Sequence, residues 1–463
     1  MISRLEGRGQ RSRALLLAVS LLTALPPCRL AAQLPPLREQ AAIQQQWLQY
    51  RLDSILPGLM RENGVQMWLV ICREYNEDPV FFSIVSATTF ACRRRTMYVF
   101  HDRGPDQPLE RLALGGSSQG GLFRAVRDTT VQVASQAQPG AQRGGELVGA
   151  AQWALLRRVI EERNPRTIAI NISPTHAFSD GLPAGEYEQL REALGPELSS
   201  RLVRAERLAH DYIALRTPGM NQWYPRLQEQ AHDIIRRAFS RAVITPGRTT
   251  TEDVVWWTRE ELRRRGLATW FQTTVDVQRQ GLNPDTVSAP LVIMPGDVLH
   301  IDFGLTAMRL NTDTQHMAYV PRPGEREPPL GLRRALANAN RLQDIVMEEL
   351  VPGRTGNEVL ARSLARMREA GITGTVYSHP VGDHGHGAGP LIGLWDRQEG
   401  VPGRGDVPVL RNMWYSIELE ARTPVPEWGG QVVKMALEED AMIGPDGTVR
   451  WALRRQTELH VVR

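Results

Sequence analysis

Lysine is nearly absent from this 463-residue chain: Lys434 is the only one, and the other basic residues are arginines. Cysteine is scarce, at three, and aromatic residues make up 6%. Three cysteines in a chain this long exclude a fold stapled by disulfides. An excess of one charge is also lacking. Lys+Arg is 55 against 51 Asp+Glu, and the difference is carried by residues 1–32, where Arg4, Arg8, Arg11, Arg13 and Arg29 stand against Glu6. The rest of the chain is balanced, so no bulk basic surface argues for a nucleic-acid partner. At 42% apolar and 23% charged residues, the chain is neither disordered nor fibrous.

Long apolar runs are missing too. After the arginines of the first thirteen residues comes a run of twelve, Ala14 to Leu25. A bilayer span needs ~20 residues, and no later stretch is apolar enough to cross one. Pro26 and Pro27 break the run, and Leu30-Ala31-Ala32 offers small residues before Gln33. This is the order of an export signal, so residues 1–32 are expected to be removed and the protein secreted or periplasmic, with no stable membrane insertion after cleavage. Export permits a disulfide between Cys72 and Cys92, and two buried free thiols fit their apolar surroundings equally well.

At roughly 100–200 residues per domain, the length predicts two or three domains. Residues 38–63 read as helix, stopped at Gly64, and Val65–Ile71 and Thr96–Phe100 read as strands. Residues 103–120 and 134–146, rich in Gly, Gln and Ser, read as loops. A helix over Leu147–Asn164 and a strand over Thr167–Ile172 complete an α/β pattern expected over 33–208.

The second half repeats itself. Pro246-Gly247-Arg248-Thr249-Thr250-Thr251-Glu252 recurs as Pro352-Gly353-Arg354-Thr355-Gly356-Asn357-Glu358. Each copy follows an expected helix (223–242 and 330–350) and carries Thr-x-x-Glu, a capping box that opens another, ending at Gly266 and Gly371. Duplication would give two related halves with a cleft between them.

Chemistry concentrates here. Asp302 lies in the apolar strand Val298–Leu305, and Asp313 follows eleven residues later. A glycine- and histidine-rich stretch contains His379, His384 and His386. Glu418 and Glu439 sit among strand apolars. Unpaired carboxylates in a core cost several kcal/mol each, so this many acids call for positive charge among them, and a divalent metal pair supplies it. His300, two residues before Asp302, is expected on the same side of its strand.

In order and spacing these residues resemble the pita-bread metallopeptidases, a group containing Xaa-Pro aminopeptidases, prolidases, methionine aminopeptidases and creatinase. The resemblance rests on Asp302-Phe303-Gly304, Asp313, Gly385-His386-Gly387-Ala388-Gly389, Ser416-Ile417-Glu418 and Glu439-Asp440. It implies an α+β fold: a smaller creatinase-type α/β domain over 33–208, then a pita-bread domain over 209–463 with pseudo-two-fold helix pairs and an antiparallel sheet. It further implies two divalent ions (Mn, Co, Zn or Fe) on Asp302, Asp313, His386, Glu418 and Glu439, with Glu418 also carrying protons. The implied substrate is a short peptide, and a homodimer is compatible with the family. A creatinase-like hydrolase of a small non-peptide amide and a non-catalytic binding protein are the alternatives.

Two family histidines have no counterpart on this reading. One belongs near Gly281–Asp285. The other belongs seven residues after the ligand histidine, where counting from His386 reaches Gly393. His379 and His384 are the candidate catalytic replacements. Leu437 stands where Xaa-Pro enzymes tend to place arginine.

Overall fold

Alternation with a period of two builds the first layer. In the computed structural model, which describes residues 34–134, 140–282 and 290–463, a six-stranded mixed sheet is centred on Met67–Arg73. That strand pairs antiparallel with Arg95–His101 and parallel with Ile168–Ile170. Met67, Leu69 and Ile71 pack against Trp153, Leu156 and Ile160 of the helix Gly149–Arg163 and Leu190 of the helix Ala184–Ser199. The intervening Trp68, Val70 and Cys72 face the other way, toward Leu208 and Tyr212 of the helix Glu206–Ala214, which runs across position 208. Cys72 and Cys92 are both buried and unbridged.

The expected loops at 103–120 and 134–146 each contain a strand. Glu110–Leu114 pairs with Arg95–His101, and Gln142–Gly145 with Asp128–Ala134. Both are short, and tertiary pairing outweighs their glycine- and glutamine-rich flanks. The expected export signal lies outside the described residues. No described helix is long and apolar enough to cross a membrane.

A second sheet, of nine strands, has the path Thr373–Val376, Trp414–Val425, Gln431–Ile443, Thr314–Tyr319, Val298–Phe303 and Thr274–Gln278. The helices Pro218–Ala238 and Leu330–Glu349 pack on one face, against odd-numbered residues such as Leu299, Ile301, Ile417 and Leu419. The even-numbered residues of Val298–Phe303, Trp414–Val425 and Gln431–Ile443 face the other side, as do the odd-numbered ones of Thr314–Tyr319.

The duplication is visible in equivalent bonds. Gly247 N–H donates to Ile293 O at 2.7 Å, and Gly353 N–H to Val409 O at 2.9 Å. Both glycines have positive φ, +83° and +95°. Isolated bridges Thr250–Val292 and Thr355–Pro408 follow in each half. The second capping box is Thr355 with Glu358, as expected, but the first is Thr250 with Asp253. The first half has three threonines in a row, and the second one takes the cap.

Candidate metal centre

Register places the acids. Asp302 pairs with Gln315, Gln315 with Glu438, and Glu438 with Glu418, across four neighbouring strands. Residues directly opposite in antiparallel strands share a face. These four therefore form one row, on the side away from the helices. Asp313 precedes the Thr314–Tyr319 strand at the parity of Gln315, and His379 pairs with Ser416, at the parity of Glu418.

His379 closes the group. Its Nε2 stands 3.2 Å from Glu438, 3.5 Å from Asp313 and 3.9 Å from Glu418. Its Nδ1–H donates to the Pro380 carbonyl at 3.0 Å, which fixes the ring and turns Nε2 toward the acids. Gln315 donates to Glu418 Oε1 at 2.5 Å and to Glu438 Oε2 at 2.9 Å, spacing the two glutamates. The Asp302 and Asp313 Oδ1 and the Glu438 Oε1 atoms are buried without a hydrogen-bond partner. The His379–Glu438 contact is thus an ion pair lacking hydrogen-bond alignment.

Electrostatics reflects the crowding. Burial, with Glu438 beside it, pushes the Asp302 carboxyl up to about 7. The same two causes hold Asp313 and Glu418 well above the carboxylate range. Burial opposes charge on His379, but Asp313 and Glu438 together outweigh it and keep the imidazole protonated well above its ordinary range. Partnerless buried oxygens, four carboxylates and one imidazole whose Nε2 is turned toward them suit oxygen-preferring divalent ions.

Glu439 does not join this group. It pairs with Ile417, on the helix side, and accepts from His232 at 3.0 Å and His316 at 2.7 Å. Its place in the row is held by Glu438. His386 also stands apart: it is exposed, with its ring 4.7 Å from that of His379 and 5.1 Å from that of Trp270. One edge of the ring is open to solvent, but the rest is shielded from water beside His379, and that shielding with the charge on His379 lowers its pKa to about 4, so it is neutral near pH 7. His384 lies against Phe178, beside Asp383, and lines a cavity of about 710 Å³ together with His386 and Trp270. His379, expected as a catalytic replacement, is the histidine inside the acid cluster.

This exchange restores a spacing. Counted from His379, the seventh residue is His386, so the second family histidine has a counterpart after all. Two residues before Glu438 is Ala436, again no arginine. The upstream stretch Gly281–Asp285 contains no histidine, and its part from 283 onward lies outside the described residues. His300 donates through Nε2 to Gln315 Oε1 at 2.9 Å and through Nδ1 to Asp276 Oδ2 at 3.3 Å, flanking the row as expected.

A cavity of about 780 Å³ opens onto the row at Asp302 and Gln315 and is lined further by His300, Tyr377 and Lys434. Residues 226–445 match the model of metallopeptidase family M24. This segment is an M24 domain. Solved structures agree on the fold. An X-Pro aminopeptidase from Thermotoga maritima MSB8 superposes with TM-score 0.56 at 16% identity, covering 88% of this chain and all of that one. The Xaa-Pro dipeptidase from Bacillus anthracis gives 0.52 at 15%, covering 91% and 100%. The N-terminal domain of FACT complex subunit SPT16 from Cicer arietinum gives 0.57 at 11%, covering 90% and 99%. Identities this low carry the M24 fold and nothing finer, and the third of these proteins is not named as a peptidase. No curated protein matches the sequence.

Proposed function

We propose that the chain is an exported dinuclear-metal aminopeptidase acting on short peptides, with Xaa-Pro sequences as its substrate class. The observation that carries this reading is the row Asp302, Gln315, Glu438 and Glu418, with Asp313 and His379 closing it and three buried oxygens left without partners. Asp302, Asp313, His379, Glu418 and Glu438 would hold two divalent ions, which when bound supply Lewis acidity and a water acidic enough to attack near neutral pH. Glu438 takes the role that the sequence motif gave to Glu439.

The remaining residues perform the positioning and proton steps. Glu418 is partly open to solvent, and burial with Glu438 nearby raises its carboxyl, so it can accept a proton and return it to a leaving amine. Gln315 fixes its orientation through the 2.5 Å bond. His386, neutral and exposed beside Trp270, is placed to donate a hydrogen bond to the substrate carbonyl oxygen as charge develops there. The cavity beside it, with Trp47, Phe82 and Met308 in its wall, offers apolar surface for peptide side chains.

A non-catalytic binding protein is the second reading, favoured by the missing upstream histidine. Release of the N-terminal residue from an Xaa-Pro peptide panel, with Mn, Co or Zn added back, decides between them. Turnover that disappears in Glu418→Gln supports the peptidase, and absence of turnover with every ion rejects it. Mass spectrometry of the exported protein should give an N-terminus near Gln33; retention of Met1 would reject export.

A further inference from the structure

Behind the row of acids, on the helix side of the same sheet, lies a second constellation that the peptidase centre does not use. His232 on the helix Pro218–Ala238, His316 on the strand Thr314–Tyr319 and Glu439 on the strand Gln431–Ile443 converge there, all buried. Their ligand atoms lie within 4.8 Å of one another. His232 Nε2 is 3.0 Å from Glu439 Oε2, and His316 Nε2 is 2.7 Å from Glu439 Oε1.

We propose that His232, His316 and Glu439 form a separate mononuclear site for a divalent transition-metal ion of the zinc type. Two imidazoles and one carboxylate with a position left open are a donor set that such ions favour. The supporting partners are in place. Gln456 N–H donates to Glu439 Oε1 at 2.9 Å and fixes the carboxylate. His460 Nε2 lies 3.0 Å from His316 Nδ1, so when Nε2 of His316 binds an ion its other nitrogen has a partner. An entry path exists as well: His232, His316 and His460 line a cavity of about 650 Å³ on this face. Without an ion, each imidazole donates its Nε2–H to Glu439; with one, both nitrogens present lone pairs to the metal.

The site shares no ligand with the peptidase centre, so the two can be tested apart. Purified mature protein is dialysed against zinc and its bound metal counted. His232→Gln is expected to hold one equivalent fewer than wild type; equal stoichiometry would overturn the proposal. The second measurement uses Asp302→Asn/Glu438→Gln, which disables the other centre. X-ray absorption of its remaining zinc should show two imidazole nitrogens. No retained zinc, or zinc without the imidazole pair, would overturn the proposal even where His232→Gln fails to fold.

Discussion

At the residue scale, the two histidines seven apart divide the work between them. His379 is buried, tied through Nδ1 to Pro380, and faces three acids. His386 is exposed beside Trp270. His379→Ala is therefore expected to weaken metal binding by at least the 10–100-fold that even an outer partner of a ligand costs. His386→Ala should keep its metal and lose roughly 10²–10³ in kcat, the usual cost of one donor to a developing oxyanion. Metal analysis and peptide kinetics on the two variants check the division. The residue types were legible in the sequence: Asp302 and Glu418 stand among strand apolars, and the family resemblance singles out Asp313 with them. The choice between Glu438 and Glu439 was not, because adjacent acids differ only in which face they take.

At the element scale, that choice is made by the hairpin. Val425 pairs with Gln431 around the turn at Pro426–Gly430, and the same register carries Glu418 onto Glu438. A turn centred on Trp428 is visible in Pro426, Gly429 and Gly430, so the mirror position of Glu418 could have been counted from it. A slip of one residue would send the carboxylate through the sheet. The histidine loop is anchored differently. Asp383 accepts from Arg51 at 2.6 Å and from Arg216 at 2.6 Å, both guanidiniums buried. Burial disfavours its charge, but the two arginines outweigh this and hold its carboxyl below the ordinary range. Asp383→Asn leaves two buried cations without a counter-charge and is expected to cost ~3–5 kcal/mol, read from denaturant midpoints.

A second element-scale prediction concerns acid. Glu110, at the start of the strand Glu110–Leu114, accepts twice from Arg163 at the end of the helix Gly149–Arg163, at 2.6 and 2.7 Å. Those hydrogen bonds, against a smaller effect of burial, lower its carboxyl to about 2 from an ordinary 4.5. The depressed folded value means that the pair stabilises the fold fully above pH 4.5 and is lost as pH falls from 4.5 toward 2. Glu110→Gln should lose less stability than wild type between pH 5 and pH 3, measured by urea midpoints at the two pH values.

At the scale of the whole molecule, the duplication was the most legible feature. The matched Pro-Gly-Arg-Thr segments do open equivalent helices and bridge to equivalent extended segments at Val292–Ile293 and Pro408–Val409, although the first cap slips by one threonine. What the repeat could not reveal is that the sheet carries polar groups on both faces. One face gathers Asp302, Asp313, His379, Glu418 and Glu438; the other buries Glu439 between His232 and His316. Sequence spacing merges these because consecutive strand residues alternate sides. Anomalous scattering from crystals soaked in manganese separates them directly. Two peaks among Asp302, Asp313, His379, Glu418 and Glu438 are the expected result. No peak on that face, or a centre that draws its last carboxylate from Glu439 in place of Glu438, would contradict the assignment.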